Sequence, residues 1–202
     1  MAWRRLQGQW TILTGGLLFR LQTLLSGGLM AVLFVSLVWR FGISWKMLKF
    51  AVLGSILVLV ALIDYHSFLI PDRLLVTGLL AYIPLNLLCG VSLAHTLVQG
   101  LLGGCSVAVP LLLVVLVADA VMQQETMGGG DIKLFFLLGV YLGPLLTVFT
   151  LFAACVLGLA GQLAQQKLEP GKAFPFGPFI ALAVWPVLLW GTSFAQWYLQ
   201  LF

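Results

Sequence analysis

The stretch LVQGLLGGCSVAVPLLLVVLVA, Leu97 to Ala118, decides the class of fold. It holds no charged residue, and at about 1.5 Å of rise per helical residue it is long enough to cross a hydrocarbon layer of roughly 30 Å. Working outward, comparable apolar runs lie near Leu21 to Trp39, Met47 to Ile63, Leu74 to Cys89, Ile132 to Leu142, Leu145 to Leu163 and Pro178 to Tyr198. The fifth run, Ile132 to Leu142, is too short to cross alone, because Gly143 and Pro144 interrupt it; it is tilted, re-entrant or continuous with the sixth. The expected fold is an all-α, polytopic integral membrane bundle of six or seven transmembrane helices.

Composition agrees with that reading. Of 202 residues, 62% are hydrophobic and only 8% charged, too few charges to coat a soluble domain of this size. A soluble enzyme is thereby excluded. The formal net charge of +4 comes from basic residues scattered singly between apolar runs, which form no groove for nucleic acid. Cys89, Cys105 and Cys155 make no C-x-x-C pair, so neither a zinc ribbon nor a disulfide framework is expected, only buried thiols. Met1 to Arg20, with Trp3, Trp10 and two arginine clusters, reads as an interfacial anchor ahead of a bundle over residues 21–202. No repeat divides that bundle. Gly139 with Gly143 and Ala154 with Gly158 are small residues at helical spacing, suited to close helix packing in lipid.

With seven spans, Arg4, Arg5, Arg20, Arg73, Lys133, Lys167 and Lys172 share one face, and Arg40, Lys46 and Lys49 the other. The positive-inside rule makes the first face cytoplasmic. All six carboxylates, Asp64, Asp72, Asp119, Glu125, Asp131 and Glu169, fall on that same face, and acids do little to set topology. The cluster calls for another explanation.

Asp64 ends an apolar run, where an ionisable group raises a functional hypothesis by default; an acid snorkelling to the interface is the plain alternative. Asp72 follows Pro71, and a Pro-Asp pair suits the start of a helix through proline's fixed φ and the positive end of the dipole. In Glu125-Thr126-Met127-Gly128-Gly129-Gly130-Asp131, three glycines at a helix mouth cost backbone entropy that helix formation does not recover. They let a substrate chain or another helix approach Asp131, and they permit backbone angles closed to other residues. A phosphate cradle is disfavoured, since no Gly-Lys-Ser/Thr follows and an acid stands where the anion would sit. Two aspartates on one membrane face are the parts of an aspartic protease, whose paired carboxylates share a proton and activate water. The main alternative from another class is an ion or proton transporter with carboxylates at the membrane margin.

Three blocks in order, Ile63-Asp64 with Leu69-Ile70-Pro71-Asp72, Met127-Gly128-Gly129-Gly130-Asp131 with Lys133, and Phe174-Pro175-Phe176-Gly177-Pro178-Phe179, resemble the type IV prepilin peptidase family. These are the leader peptidases of type IV pilins and type II secretion pseudopilins, among the GxGD membrane aspartic proteases. The resemblance implies catalysis by Asp64 and Asp131, support from Asp72 and no metal; Gly128, Gly129, Gly130, Lys133 and Glu125 are further candidates for binding substrate or supporting the site, and no cofactor is expected. It also implies prepilin or pseudopilin substrates and a bacterial inner membrane location with the site facing the cytoplasm. Bacterial members commonly carry a large insertion with paired C-x-x-C motifs before the first block, associated with N-methylation of the new pilin terminus; its lack here leaves a peptidase alone expected. Glu125 either meets the basic leader or is a solvated loop acid, and Phe174 to Phe179 form a turn near the site or anchor at the interface. Helix dipoles make Asp131, at a helix start, the initial base and Asp64, at a helix end, the acid. Lys133 would then favour ionised Asp131, or simply snorkel.

Overall fold

A computed structural model of the chain describes residues 27–123, 127–168 and 174–200. Among these residues seven helices follow one another: α1 (Gly27–Phe41), α2 (Trp45–Ser67), α3 (Asp72–Leu88), α4 (Leu93–Met122), α5 (Gly129–Leu142), α6 (Pro144–Leu168) and α7 (Gly177–Leu199). Each coincides with one of the apolar runs. α2 and α4 start at side-chain caps: Ser44 accepts from the Met47 N–H at 3.3 Å, and Ser92 from the His95 N–H at 3.4 Å. The segment 1–20 and Glu125 lie outside the described residues.

Apolar side chains both fill the bundle and cover it. α2, α4 and α6 are long and apolar enough to cross a membrane. Val114, Val117 and Val121 of α4 and Phe152 and Leu159 of α6 point outward, an arrangement that lipid tolerates and water does not. The chain is an integral membrane bundle.

The short helix α5 is its centre. Leu134, Phe135, Leu137 and Leu138 are fully buried, and α3, α4 and α6 pack around them. A helix of 14 residues is about 21 Å long, too short to cross unaided, but α5 has its backbone within protein and meets little lipid. Gly143 ends it with φ +81, donating its N–H to the Gly139 carbonyl at 2.9 Å, and α6 begins at once with Pro144.

Glycines set the closest helix approach. A Cβ on Gly139 would strike the carbonyl oxygen of Gly103, and one on Gly103 would strike that of Gly139 and come within 3.1 Å of the Gly143 Cα. α4 and α5 therefore touch backbone to backbone, the packing expected of Gly139 and Gly143. Gly158 behaves otherwise. Its missing side chain leaves a seat for the Phe176 ring, as Gly161 does for Phe179, so α6 uses these glycines to receive aromatics and not a second helix backbone. The thiols also depart from expectation: Cys89 and Cys105 are half-buried and Cys155 is exposed on the apolar outer surface.

Candidate active site

Asp64 stands one turn before the end of α2. The helix closes just beyond it, where the Phe68 N–H donates to the Asp64 carbonyl at 2.9 Å and Phe68 takes left-handed angles, φ 52 and ψ 30. The chain then reaches Pro71, and Asp72 opens α3 as the Pro-Asp pair predicted. Asp64 is buried, 6% exposed. A buried carboxylate requires donors, and one comes from far along the chain: the Gly177 N–H, in the first turn of α7, donates to Asp64 Oδ2 at 2.8 Å.

Gly177 has room for nothing larger. A Cβ there would lie 2.7 Å from Asp64 Oδ2 and 3.1 Å from its Cβ. The Phe-Pro-Phe-Gly-Pro-Phe block is the turn that was expected near the site, but its central glycine does more than pack. The glycine ahead of a helix-opening proline was the available signal. Phe174 and Phe179 stack across the turn with ring centroids 4.9 Å apart, holding it against α6.

Asp131 lies in the first turn of α5, before the apolar stretch of that helix. It is near enough to Asp64 for the charge of one to act on the other. Burial first, and Asp64 second, push the Asp131 carboxyl up to about 6. The helix N-terminus favours the ionised form of Asp131, and the loss of water around the carboxyl opposes it.

The three glycines take ordinary angles: Gly128 has φ −65, and none of the three has a positive φ. The expectation of backbone angles closed to other residues is therefore not met. Their value is space, and it differs at each position. Gly130 faces Ile70, whose Cβ would be 3.0 Å from an added Cβ, so the turn after Asp64 presses on the glycine before Asp131. Gly128 borders Asp131 Oδ2, at 3.7 Å from an added Cβ. Gly129 has nothing within 4 Å among the described residues, leaving bare backbone open beside Asp131.

Lys133 takes a part that differs from the one expected. Its ammonium donates to both Asp72 carboxylate oxygens at 2.8 Å, and the pair is exposed, with side chains 57% and 63% accessible. Lys133 joins α5 to α3 and is not turned to Asp131. Ile70 against Gly130, and Asp72 with Lys133, thus fasten the first sequence block to the second, while Gly177 fastens the first to the third. Beside this junction an apolar cavity of about 730 Å³ opens between α1, α2 and α7; Leu33, Ala61, Leu62, Tyr65, Pro178 and Trp185 line it, and Tyr65 and Pro178 directly follow Asp64 and Gly177 in sequence.

Comparison with known proteins bears on this arrangement. Residues 51–163 match the family model described as the type IV leader peptidase family. A prepilin leader peptidase/N-methyltransferase of Stutzerimonas stutzeri is 34% identical over 166 residues, 80% of this chain and 56% of that protein. Proteins of the same description from Aeromonas hydrophila and Bacillus subtilis are each 32% identical, over 86% and 85% of this chain and 60% and 67% of their own length. The chain spans about three-fifths of the length of the curated relatives it matches. No solved structure matches it.

Proposed function

The chain belongs to the type IV leader peptidase family, and on that premise we propose that it is a membrane aspartic endopeptidase that removes the leader from type IV prepilins or type II secretion pseudopilins, with Asp64 and Asp131 as its catalytic pair. The observation that carries this reading is the convergence of three distant sequence blocks on those two carboxylates. Of the two activities in the names of its relatives, the three blocks bear on the peptidase.

Two carboxylates that feel each other's charge hold one proton between them over a range of pH. The ionised member takes a proton from a water molecule, and the resulting hydroxide adds to the scissile carbonyl carbon while the protonated member gives its proton to the carbonyl oxygen. Collapse of the tetrahedral diol returns a proton to the departing amine nitrogen and frees a carboxyl terminus on the leader. No covalent enzyme intermediate forms.

The surroundings support a substrate with one basic and one apolar part. The apolar cavity beside Asp64 suits the hydrophobic helix that follows the cleavage point, and Asp72 and the open backbone at Gly129 border the path of the chain. The residues 1–20 act as an anchor and 21–202 as the peptidase bundle. The excess of Lys and Arg at the aspartate end, counted along the sequence, supports a cytoplasmic site in the bacterial inner membrane.

Purified full chain incubated with a prepilin tests the proposal, with mass spectrometry reading both the cleaved bond and any added methyl group. Asp64→Asn and Asp131→Asn are each expected to abolish cleavage while leaving detergent behaviour unchanged. Substantial residual cleavage in either variant removes that residue from the pair, and intact prepilin after incubation with the wild-type chain overturns the reading.

A further inference from the structure

The far end of the bundle holds a second polar site. Lys49 lies one turn into α2, fifteen residues before Asp64 and so roughly 22 Å from it along the helix axis. Its ammonium donates to Asn86 Oδ1 of α3 at 3.0 Å and sits among aromatic faces, 5.0 Å from the Tyr82 ring centroid and 5.8 Å from that of Tyr141. These side chains line a cavity of about 220 Å³ with His95, Thr96 and Gln99 of α4.

The hydrogen-bond account of this cavity is lopsided. Asn86 is 6% exposed and Thr96 1% exposed, yet Asn86 Nδ2 and Thr96 Oγ1 find no partner among the described residues. The Asn86 amide stands near the Tyr82 hydroxyl without meeting hydrogen-bond geometry. Both tyrosine hydroxyls are engaged elsewhere, Tyr82 donating to the Thr96 carbonyl at 3.5 Å and Tyr141 to the Gly78 carbonyl at 2.8 Å. Each unmet group can donate: an amide nitrogen, a hydroxyl, which can also accept, and the ammonium hydrogens that Asn86 leaves unused. Among the described residues no carboxylate lines the cavity, although cations withdrawn from water are as a rule paired with an anion. His95 and Gln99, both exposed, stand at its rim, and Lys46 lies exposed on the same turn as Lys49.

We propose that this cavity binds a phosphate-bearing anion, through Lys49, the Asn86 amide and the Thr96 hydroxyl, on the face of the membrane opposite the aspartates. The phosphate arrives either as a free ion or as the headgroup of an anionic lipid. The site is independent of the peptidase reading.

The test uses the full chain in nanodiscs of phosphatidylcholine. Sodium phosphate is titrated by calorimetry in one arm, and short-chain phosphatidylglycerol against short-chain phosphatidylcholine in the other. Saturable binding of phosphate assigns the site to a free ion; binding of phosphatidylglycerol alone assigns it to a lipid headgroup. In either case Lys49→Met is expected to weaken binding about tenfold or more, and Thr96→Val, which keeps shape and charge, about threefold to tenfold. Thr96→Val serves as the decisive variant where Lys49→Met does not fold. Absence of saturable binding in both arms overturns the proposal, and so does wild-type affinity in Thr96→Val.

Discussion

The backbone N–H of Gly177 donates to Asp64 Oδ2 at 2.8 Å, joining residues separated by 113 positions in the chain. It supplies a donor to a buried carboxylate and fixes the start of α7 against the end of α2. Its glycine cannot be enlarged without displacing the acid, since the first added carbon would lie 2.7 Å from the oxygen.

Gly177→Ala is therefore expected to move the Asp64 carboxylate by a fraction of an ångström to an ångström. A displacement on that scale costs on the order of a hundredfold in rate. Steady-state cleavage of a prepilin should show the loss in kcat with KM little changed and the protein still monodisperse. Wild-type kcat in this variant would deny Gly177 its positioning role.

Gly129→Ala separates space from stability. An added Cβ there meets nothing, and alanine is a better helix former than glycine, so thermal stability should hold or rise slightly. If prepilin passes over this backbone, kcat/KM falls while stability does not. Gly139→Ala is its counterpart in the core: the methyl would strike the Gly103 carbonyl, at a cost of about 1–3 kcal/mol for forcing the helices apart. Equal melting temperatures for Gly129→Ala and Gly139→Ala would contradict this contrast.

Asp131 gives the chain a defined pH dependence. Its carboxyl is raised in the folded state to about 6, above the ordinary carboxylate value of about 3.9 in the unfolded chain. The folded state then binds the proton more tightly, so this group's contribution is fully present below about pH 4 and declines as pH rises through about 6. Melting of the detergent-solubilised protein should register that decline, and Asp131→Asn should flatten it. Asp64→Asn removes the second cause of the shift, so the Asp131 midpoint, followed by carbon NMR of labelled aspartate, should fall. A midpoint unmoved by Asp64→Asn would mean that the two acids do not interact.

The ion pair of Lys133 with Asp72 is exposed and should contribute little. A double-mutant cycle of Lys133→Met and Asp72→Asn is expected to give a coupling of at most about 1 kcal/mol, diminishing with salt. Cleavage should fall by no more than a few-fold in Lys133→Met. A loss as large as that expected of Asp131→Asn would show Lys133 acting on the reaction itself.

What the sequence determined by itself is what depends on neighbours along the chain. Each apolar run became one helix, because length and the absence of charge decide where a chain can enter lipid and the backbone must then satisfy its own hydrogen bonds. The break at Gly143 and Pro144, the Pro71-Asp72 helix start and the placing of Asp64 and Asp131 at helix ends follow from local chemistry in the same way. The tertiary structure alone decided what depends on residues far apart. It gave Asp64 the Gly177 N–H, turned Lys133 to Asp72, set Gly139 on Gly103 and Gly158 on Phe176, and brought a half-buried Asp131 within reach of the Asp64 charge. Spacing along a helix shows that a glycine leaves room, and hydropathy shows that an acid is near lipid. Which group fills that room, and how much water remains beside that acid, are set by the packing of other helices, which no local stretch of sequence encodes.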